Sequence, residues 1–160
     1  MPSTEPHGYS AICHLSYATV GIRTNDTTIT GIDFLPREHS ELDPQDRLAE
    51  KTIAALAAYG EDPEYHFQLP IQLDGTDYQR KVWRALQTLA SGETITYGSL
   101  AKRLHSGARA IGNACRNNPI PLIVPCHRVV AKSGLGGFAG DRREGWTELK
   151  RWLLHHEGSL

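Results

Sequence analysis

In the stretch Asn117-Asn118-Pro119-Ile120-Pro121-Leu122-Ile123-Val124-Pro125-Cys126-His127-Arg128-Val129-Val130, a thiol is followed at once by a histidine and an arginine. A thiol with an ordinary pKa of about 8.5 is a good nucleophile at neutral pH only when a base or a positive charge favours the thiolate. Both kinds of group stand next to Cys126. Adjacent residues of a regular strand point to opposite faces, however, so a direct Cys126 to His127 hydrogen bond requires a kink or a bridging water. Such a pair is by itself more often structural than catalytic. A third group comes from the C-terminal helix, whose apolar face is read as Leu149, Trp152, Leu153 and His156. Glu157, four residues after Leu153, lies at the edge of that face, where it can reach inward to orient a histidine. The alternative is a surface glutamate near a helix end stopped by Gly158, a place where the helix dipole disfavours negative charge.

The other two cysteines narrow the choice. Cys13, Cys115 and Cys126 are an odd number at wide spacings, which neither a disulfide framework nor a four-ligand zinc motif produces. Cys13 and Cys115 read as small buried hydrophobes. Leu122, Ile123 and Val124 read as a short buried strand that delivers Cys126, with prolines fixing the chain on either side.

The elements that must position these residues fall into two parts. Tyr9 to Tyr17 and Thr27 to Leu35 carry β-branched and alternating apolar residues around the turn-forming Asn25-Asp26, which predicts two or three paired strands. Asp43-Pro44 then supplies an N-cap and a first-turn proline, Leu48, Thr52, Leu56 and Tyr59 recur near helical spacing, and Gly60 stops the helix. Glu61 to Glu64 and Pro70 read as a linker, so the expected domains are 1–70 and 71–160. In the second part Thr76 and Gln79 have capping-box spacing ahead of a helix through Tyr78, Val82, Trp83, Leu86 and Leu89, ending before Gly92. A short helix from about Ser99 to Leu104 and another from Ala108 to about Asn117 flank His105-Ser106-Gly107, either as a helix-turn-helix or as a plain helical hairpin. Ala108, Ala110, Gly112 and Ala114 are all small, which suits close approach to a narrow DNA groove or close packing in a core.

Charge favours the first of these. The net charge is -1, yet residues 1–70 hold 4 Lys/Arg against 11 Asp/Glu, while residues 71–160 hold 13 against 7. Between Gly75 and Lys132 there are 9 basic and 2 acidic residues, the footprint of a nucleic-acid partner or else a solvated basic face. No stretch approaches the length of a membrane span or a signal sequence, so a cytoplasmic protein without membrane contact is expected.

Pro125-Cys126-His127-Arg128-Val129 resembles the signature of the methylated-DNA–protein-cysteine methyltransferases, also called O6-alkylguanine-DNA alkyltransferases. The resemblance covers essentially all of residues 74–160. It includes Gly75-Thr76-Asp77-Tyr78-Gln79-Arg80-Lys81-Val82-Trp83, Gly92-Glu93-Thr94-Ile95-Thr96-Tyr97, Ala108-Arg109-Ala110-Ile111-Gly112, Asn118-Pro119-Ile120-Pro121 through Val130, and Trp152-Leu153-Leu154-His155-His156-Glu157-Gly158. Residues 1–70 look like the family's α/β N-terminal domain, an RNase H-like unit of a small antiparallel sheet with a helix. The second domain is then mainly helical, with a helix-turn-helix and a short strand carrying the cysteine.

The resemblance implies DNA repair by direct reversal. One alkyl group passes irreversibly from O6-alkylguanine, with O4-methylthymine left open, to Cys126 in a single turnover. Cys126 would be the acceptor, His127 a base acting through water, Glu157 the residue orienting it, and Tyr97 a donor toward the guanine ring. Arg109 would fill the space left by a flipped nucleotide, with Ala108, Ala110, Gly112, Asn113 and Arg116 on the same DNA-binding face in the minor groove. Asn118 would brace the active-site turn, Pro121 would line the alkyl pocket, and Val129 would contact the base through its backbone. Phe138 and Ala139 would close over the base from a loop, Gly134 to Gly140, that is one residue shorter than usual in the family, with Asp141 to Thr147 inserted after it. No cofactor is implied, the family's zinc site is not expected with Cys13 alone in the N-terminal half, and the protein should act as a monomer on alkylated duplex DNA. Two other classes are open to this set of residues. One is a sensor that binds alkylated guanine without reacting, whose relatives lack the acceptor cysteine. The other is a Cys126-His127-Glu157 hydrolase, which would turn over repeatedly.

Overall fold

The computed structural model describes residues 8–136 and 146–160. The chain divides into two compact units, Met1–Asp74 and Gly75–Leu160.

In the first unit three antiparallel strands, β1 (Ala11–His14), β2 (Thr19–Thr24) and β3 (Ile29–Leu35), lie in the order β1-β2-β3. Val20, Ile22, Ile29 and Ile32 are buried, and helix α1 (Arg47–Glu61) contributes Ala49, Ala55, Leu56 and Tyr59 to the same core. Of the two or three paired strands expected here there are three: the chain reverses after β1 at Leu15–Ala18, where Leu15 N–H donates to the Ala18 carbonyl, and β2 begins at Thr19. Gly21 has a packing reason: a Cβ there would come within 2.5 Å of the Tyr9 ring. That ring lies under the Arg23 guanidinium, 4.3 Å from its centroid, and its hydroxyl donates to Asp33, which also pairs with Arg23. The Asn25 side chain closes the β2–β3 turn by accepting from the N–H groups of Thr27 and Thr28.

The start of α1 differs from expectation by three residues. Asp46, not Asp43, is the N-cap: its Oδ1 accepts from Ala49 N–H at 2.7 Å while Oδ2 accepts from the Thr24 hydroxyl. Gly60 does not stop the helix, which runs on to Glu61 and is capped at Asp62. Its lack of a side chain serves packing, since a Cβ would meet the Tyr17 ring at 2.9 Å.

The second unit is mainly helical: α2 (Asp77–Leu86), β4 (Ile95–Thr96), α3 (Tyr97–Arg103), α4 (Ala108–Arg116), a 3-10 turn (Cys126–Arg128), β5 (Val129–Val130) and α5 (Trp146–His156). The capping box at the start of α2 is complete, with Thr76 accepting from Gln79 N–H and Gln79 accepting from Thr76 N–H. Trp83 anchors the core at 1% exposure and donates its indole N–H to the Ala114 carbonyl at 2.8 Å, which ties α2 to α4. Such an aromatic removes a large apolar area from water while its one polar atom keeps a partner. Thr96 caps α3 through Ser99 N–H, and β4 pairs in parallel with β5, Ile95 opposite Val129.

Two expectations for this unit need correction. Leu122 to Val124 are not a strand. Leu122 has φ 77, a left-handed conformation that no extended strand contains, and Pro121 and Val124 form an isolated bridge across the resulting turn. Cys126 is therefore carried by a 3-10 turn, with the strand after it. The buried face of α5 is also rotated by about one position: Leu149, Lys150, Leu153 and Leu154 face inward, while Trp152 is 37% exposed and stacks on His156. No described helix is long and apolar enough to cross a membrane.

Candidate active site

Cys126 opens the 3-10 turn, is 3% exposed, and follows the left-handed bend at Leu122. The bend is braced by Asn118, whose Nδ2 donates to the Val124 carbonyl at 2.8 Å while its Oδ1 accepts from Ile120 N–H at 3.0 Å. A left-handed non-glycine residue costs on the order of 1 kcal/mol, which hydrogen bonds of this kind offset. Pro121 is buried in the same bend. Cys126 N–H donates to the Val124 carbonyl and Val129 N–H to the Cys126 carbonyl, so the backbone on both sides of the thiol is fixed.

His127 is 1% exposed and its Nε2 lies 2.8 Å from Glu157 Oε2. A carboxylate only accepts, so Nε2 carries the proton and Nδ1 carries the lone pair. Burial pushes the imidazole below its ordinary pKa, outweighing the upward pull of the Glu157 hydrogen bond and charge, with Arg128 and Lys150 adding to the downward side. The ring is thus a neutral base at neutral pH. Glu157 reaches it from just beyond the last turn of α5, where Gly158, at φ 80, turns the chain away and Ser159 N–H closes on the Leu154 carbonyl. Its side chain is 0% exposed and is held from a second side by Arg128, with Nε to Oε1 and Nη2 to Oε2 each at 2.9 Å.

Lys150 is the residue the sequence did not single out. It is fully buried, donates from Nζ to the Val129 carbonyl at 2.7 Å, and lies 5.8 Å from the centroid of the Tyr97 ring. Burial pushes its pKa down to about 8, against the upward pull of the Cys126 and Cys115 sulfurs. Its spacing carried a signal: Lys150, Leu153, Leu154 and Glu157 follow i, i+3, i+4, i+7, one face of a helix. Arg128 stands in the sequence as a positive charge beside the thiol, yet its guanidinium is spent on Glu157 and on the Leu89 carbonyl, 2.6 Å from Nη1.

The other two thiols have different surroundings. Cys115 is buried and pushed up to about 12, first by desolvation and then by Cys126, so it stays protonated. Cys13, in the first unit, is raised by burial and by Glu41.

Tyr97 begins α3, half-buried, with Gly136 against its ring; a Cβ on Gly136 would come within 2.8 Å of Tyr97 Cε2. On α4, Ile111, Ala114 and Cys115 face inward, whereas Ala108, Arg109, Asn113 and Arg116 are exposed. Ala110 and Gly112 are partly exposed, and nothing lies within 4 Å of where a Gly112 Cβ would be. Val129 is buried and offers only its backbone carbonyl, already bonded to Lys150. Phe138 and Ala139 lie outside the described residues.

A family model described as the 6-O-methylguanine DNA methyltransferase DNA-binding domain matches residues 77–159, the whole of this arrangement. The chain is 44% identical over 95 residues to a methylated-DNA–protein-cysteine methyltransferase of Shigella flexneri, a match covering 58% of this chain and 53% of the relative. It is 42% identical over 113 residues to the protein of that name from Mycolicibacterium paratuberculosis, covering 68% and 67%. The chain therefore spans about half of the first relative's length and two thirds of the second's. The crystal structure of Mycobacterium tuberculosis O6-methylguanine methyltransferase superposes with a TM-score of 0.78 at 32% identity, covering 92% of this chain and 91% of that one. That of Mycobacterium tuberculosis OGT in complex with DNA gives 0.78 at 34% over the same shares. A buried Cys-His-Glu centre within a matched domain, and a likeness that extends over nearly the whole fold, lead to one conclusion: this chain belongs to the methylated-DNA–protein-cysteine methyltransferase family.

Proposed function

We propose that this protein is a single-turnover methylated-DNA–protein-cysteine S-methyltransferase that repairs O6-alkylguanine in DNA by moving the alkyl group onto Cys126. The observation that carries the reading is the buried hydrogen bond between His127 Nε2 and Glu157 Oε2 at 2.8 Å, directly beside a buried thiol. The Cys126 proton passes to His127 Nδ1 through a water, and Glu157 stabilises the imidazolium that results. The thiolate attacks the alkyl carbon, the carbon–O6 bond breaks, and its electron pair returns to the guanine ring. Tyr97 donates toward the ring as charge builds on it, and the ring takes up one proton, equal to the one the thiol lost. A thioether is a poor leaving group, so the product is permanent and each molecule acts once.

The reactive oxygen is out of reach inside a stacked duplex, so the nucleotide must rotate into the site at a cost of a few kcal/mol. Helices α3 and α4 act as a helix-turn-helix, with α4 entering the minor groove. Its small residues, the exposed Ala108 with the partly exposed Ala110 and Gly112, permit close approach, while Arg109 takes the place of the flipped nucleotide and Asn113 and Arg116 reach the backbone. Pro121 lines the alkyl pocket, Asn118 holds the turn, and Val129 meets the base through its carbonyl, which has a second lone pair besides the one Lys150 uses. Residues 75–160 would thus bind DNA and accept the alkyl group, and the first unit would be the RNase H-like domain.

Peptide mapping tests this. Trypsin places Cys13 within Met1 to Arg23, Cys115 within Ala110 to Arg116, and Cys126 within Asn117 to Arg128. After incubation with a duplex containing O6-methylguanine, only the last peptide should gain one methyl, in an amount equal to the guanine restored. Repeated turnover would point to a hydrolase, and binding without transfer to a sensor; either would sink the reading.

A further inference from the structure

Glu157 sits with no exposed side-chain surface, and among the described residues its two oxygens accept one hydrogen bond from His127 and two from Arg128. Only the first belongs to the mechanism above. Arg128 is 12% exposed and spends its remaining Nη1 donor on the Leu89 carbonyl beyond α2, so the guanidinium is fixed at three of its nitrogens. A buried carboxylate with no countercharge other than an imidazole would draw a proton onto that imidazole, and a charged imidazolium is no base. We propose that Arg128 is a positioning residue of this centre: its guanidinium holds Glu157 edge-on to His127 and supplies the countercharge, so that the imidazole stays neutral and ready to take the Cys126 proton.

The ionisable groups acting on the His127 ring agree with this division. Among the described residues, burial and the cations Arg128 and Lys150 disfavour the imidazolium, and Glu157 favours it. Lys150 comes from α5; none of the ionisable groups of α2, which also packs against the 3-10 turn, is among those acting on the ring. Removing Arg128 therefore takes away a cation that opposes the imidazolium together with the two hydrogen bonds it gives to Glu157. The bidentate geometry also matters, because a lysine can restore the charge but not the two parallel hydrogen bonds.

The inference rests on the functional reading above, and an NMR titration of the His127 ring nitrogens separates the two because it needs no substrate. In Arg128→Met the His127 midpoint should rise by at least about one pH unit, a tenfold gain in proton affinity, with Arg128→Lys rising by less than half as much. Arg128→Gln, which keeps a donor for Leu89, is measured beside them so that one poorly folded variant does not silence the test. The rate of alkyl transfer from free O6-benzylguanine in Arg128→Met should be about tenfold below the parent's at pH values under both proteins' His127 midpoints and return to within about threefold of it at pH values above both. A folded variant whose His127 midpoint does not move, or a loss of rate equal at every pH, would overturn the proposal. A moved midpoint in a protein that transfers no alkyl group from DNA would instead leave Arg128 in its role and reject the repair activity.

Discussion

Lys150→Met removes a buried cation while keeping an unbranched side chain of similar length, and its effect on stability depends on pH in a way that can be worked out beforehand. The Lys150 ammonium has its pKa pushed down from 10.5 to about 8 in the folded protein, chiefly by burial. A depressed pKa means that the folded state binds this proton less readily than the unfolded chain does. The group's contribution is fully present above the unfolded pKa, is lost as pH falls from about 10.5 through 8, and does not change further below that. The cost of carrying the charge at pH 7 is about 3 kcal/mol, of which about 2 kcal/mol is relieved by pH 10. The substituted methionine has no charge to relieve, but it strips the Val129 carbonyl of its 2.7 Å donor, which costs on the order of 1–3 kcal/mol at any pH. The two proteins should be of similar stability at pH 7, and the parent should gain about 2 kcal/mol over the variant by pH 10. Urea unfolding followed by tryptophan fluorescence reads this, since Trp83, Trp146 and Trp152 all lie within residues 75–160 and report on that unit alone. Parallel stability curves for the two proteins from pH 7 to 10 would refute the reasoning.

On the proposed reading, in which the exposed Arg109 acts on base extrusion and not on the chemical step, Arg109→Ala should slow repair of duplex DNA at least about tenfold while leaving reaction with free O6-benzylguanine within about twofold; equal losses would count against that role. Asn118→Ala takes away two hydrogen bonds that hold the Leu122 bend and should lower stability by about 2 kcal/mol with a parallel loss of transfer rate, measured by urea unfolding and single-turnover kinetics. Gly136→Ala combines φ 75 with a Cβ that would sit 2.8 Å from the Tyr97 ring, so it should displace that ring and slow transfer, an outcome that rate measurements beside Gly134→Ala, where nothing lies within 4 Å, can isolate. Glu157→Gln leaves Arg128 without its anion and His127 without a charged acceptor, and should lower stability by about 3 kcal/mol. An unchanged urea midpoint would show that the carboxylate carries no charge in the fold.

Much of the second unit is legible because its signals are local. Thr76 and Gln79 at capping-box spacing, and Trp83 with Val82 and Leu86 on one face, define α2 without reference to the rest of the chain. What could not be read comes from tertiary packing overriding local pattern. Leu122-Ile123-Val124 is a β-rich tripeptide, and it bends because Asn118 binds across it and Leu122 is buried in a left-handed conformation. Lys150 looks like a surface residue to any hydropathy rule, since lysines are almost never fully buried unless paired, and its acceptor is a backbone carbonyl that no side-chain pattern reveals. Glu157 is visible as a candidate because it falls four residues after Leu153, but its second partner, Arg128, is hidden behind the more obvious use of a cation next to a thiol. In the first unit the choice between Asp43 and Asp46 as N-cap is settled by Thr24, a residue more than twenty positions away.

The hydrogen bonds around Glu157 and Arg128 join residues 29, 30 and 39 positions apart, and Lys150 reaches Val129 across 21. Contacts of such span each carry a loop-closure entropy, and none of them can form before α5 or the 3-10 turn is brought to its partner. A chain with α2 and α4 formed but α5 undocked would hold Cys126 beside a His127 that has lost its Glu157 partner, in a site without the Lys150 ammonium. On the proposed reading, Cys126 gains its full set of partners only when α5 is docked. A thiol-reactive probe added during refolding should find the native reactivity of Cys126 only once α5 has docked, so that the reactivity of one thiol reports on the assembly of the whole unit.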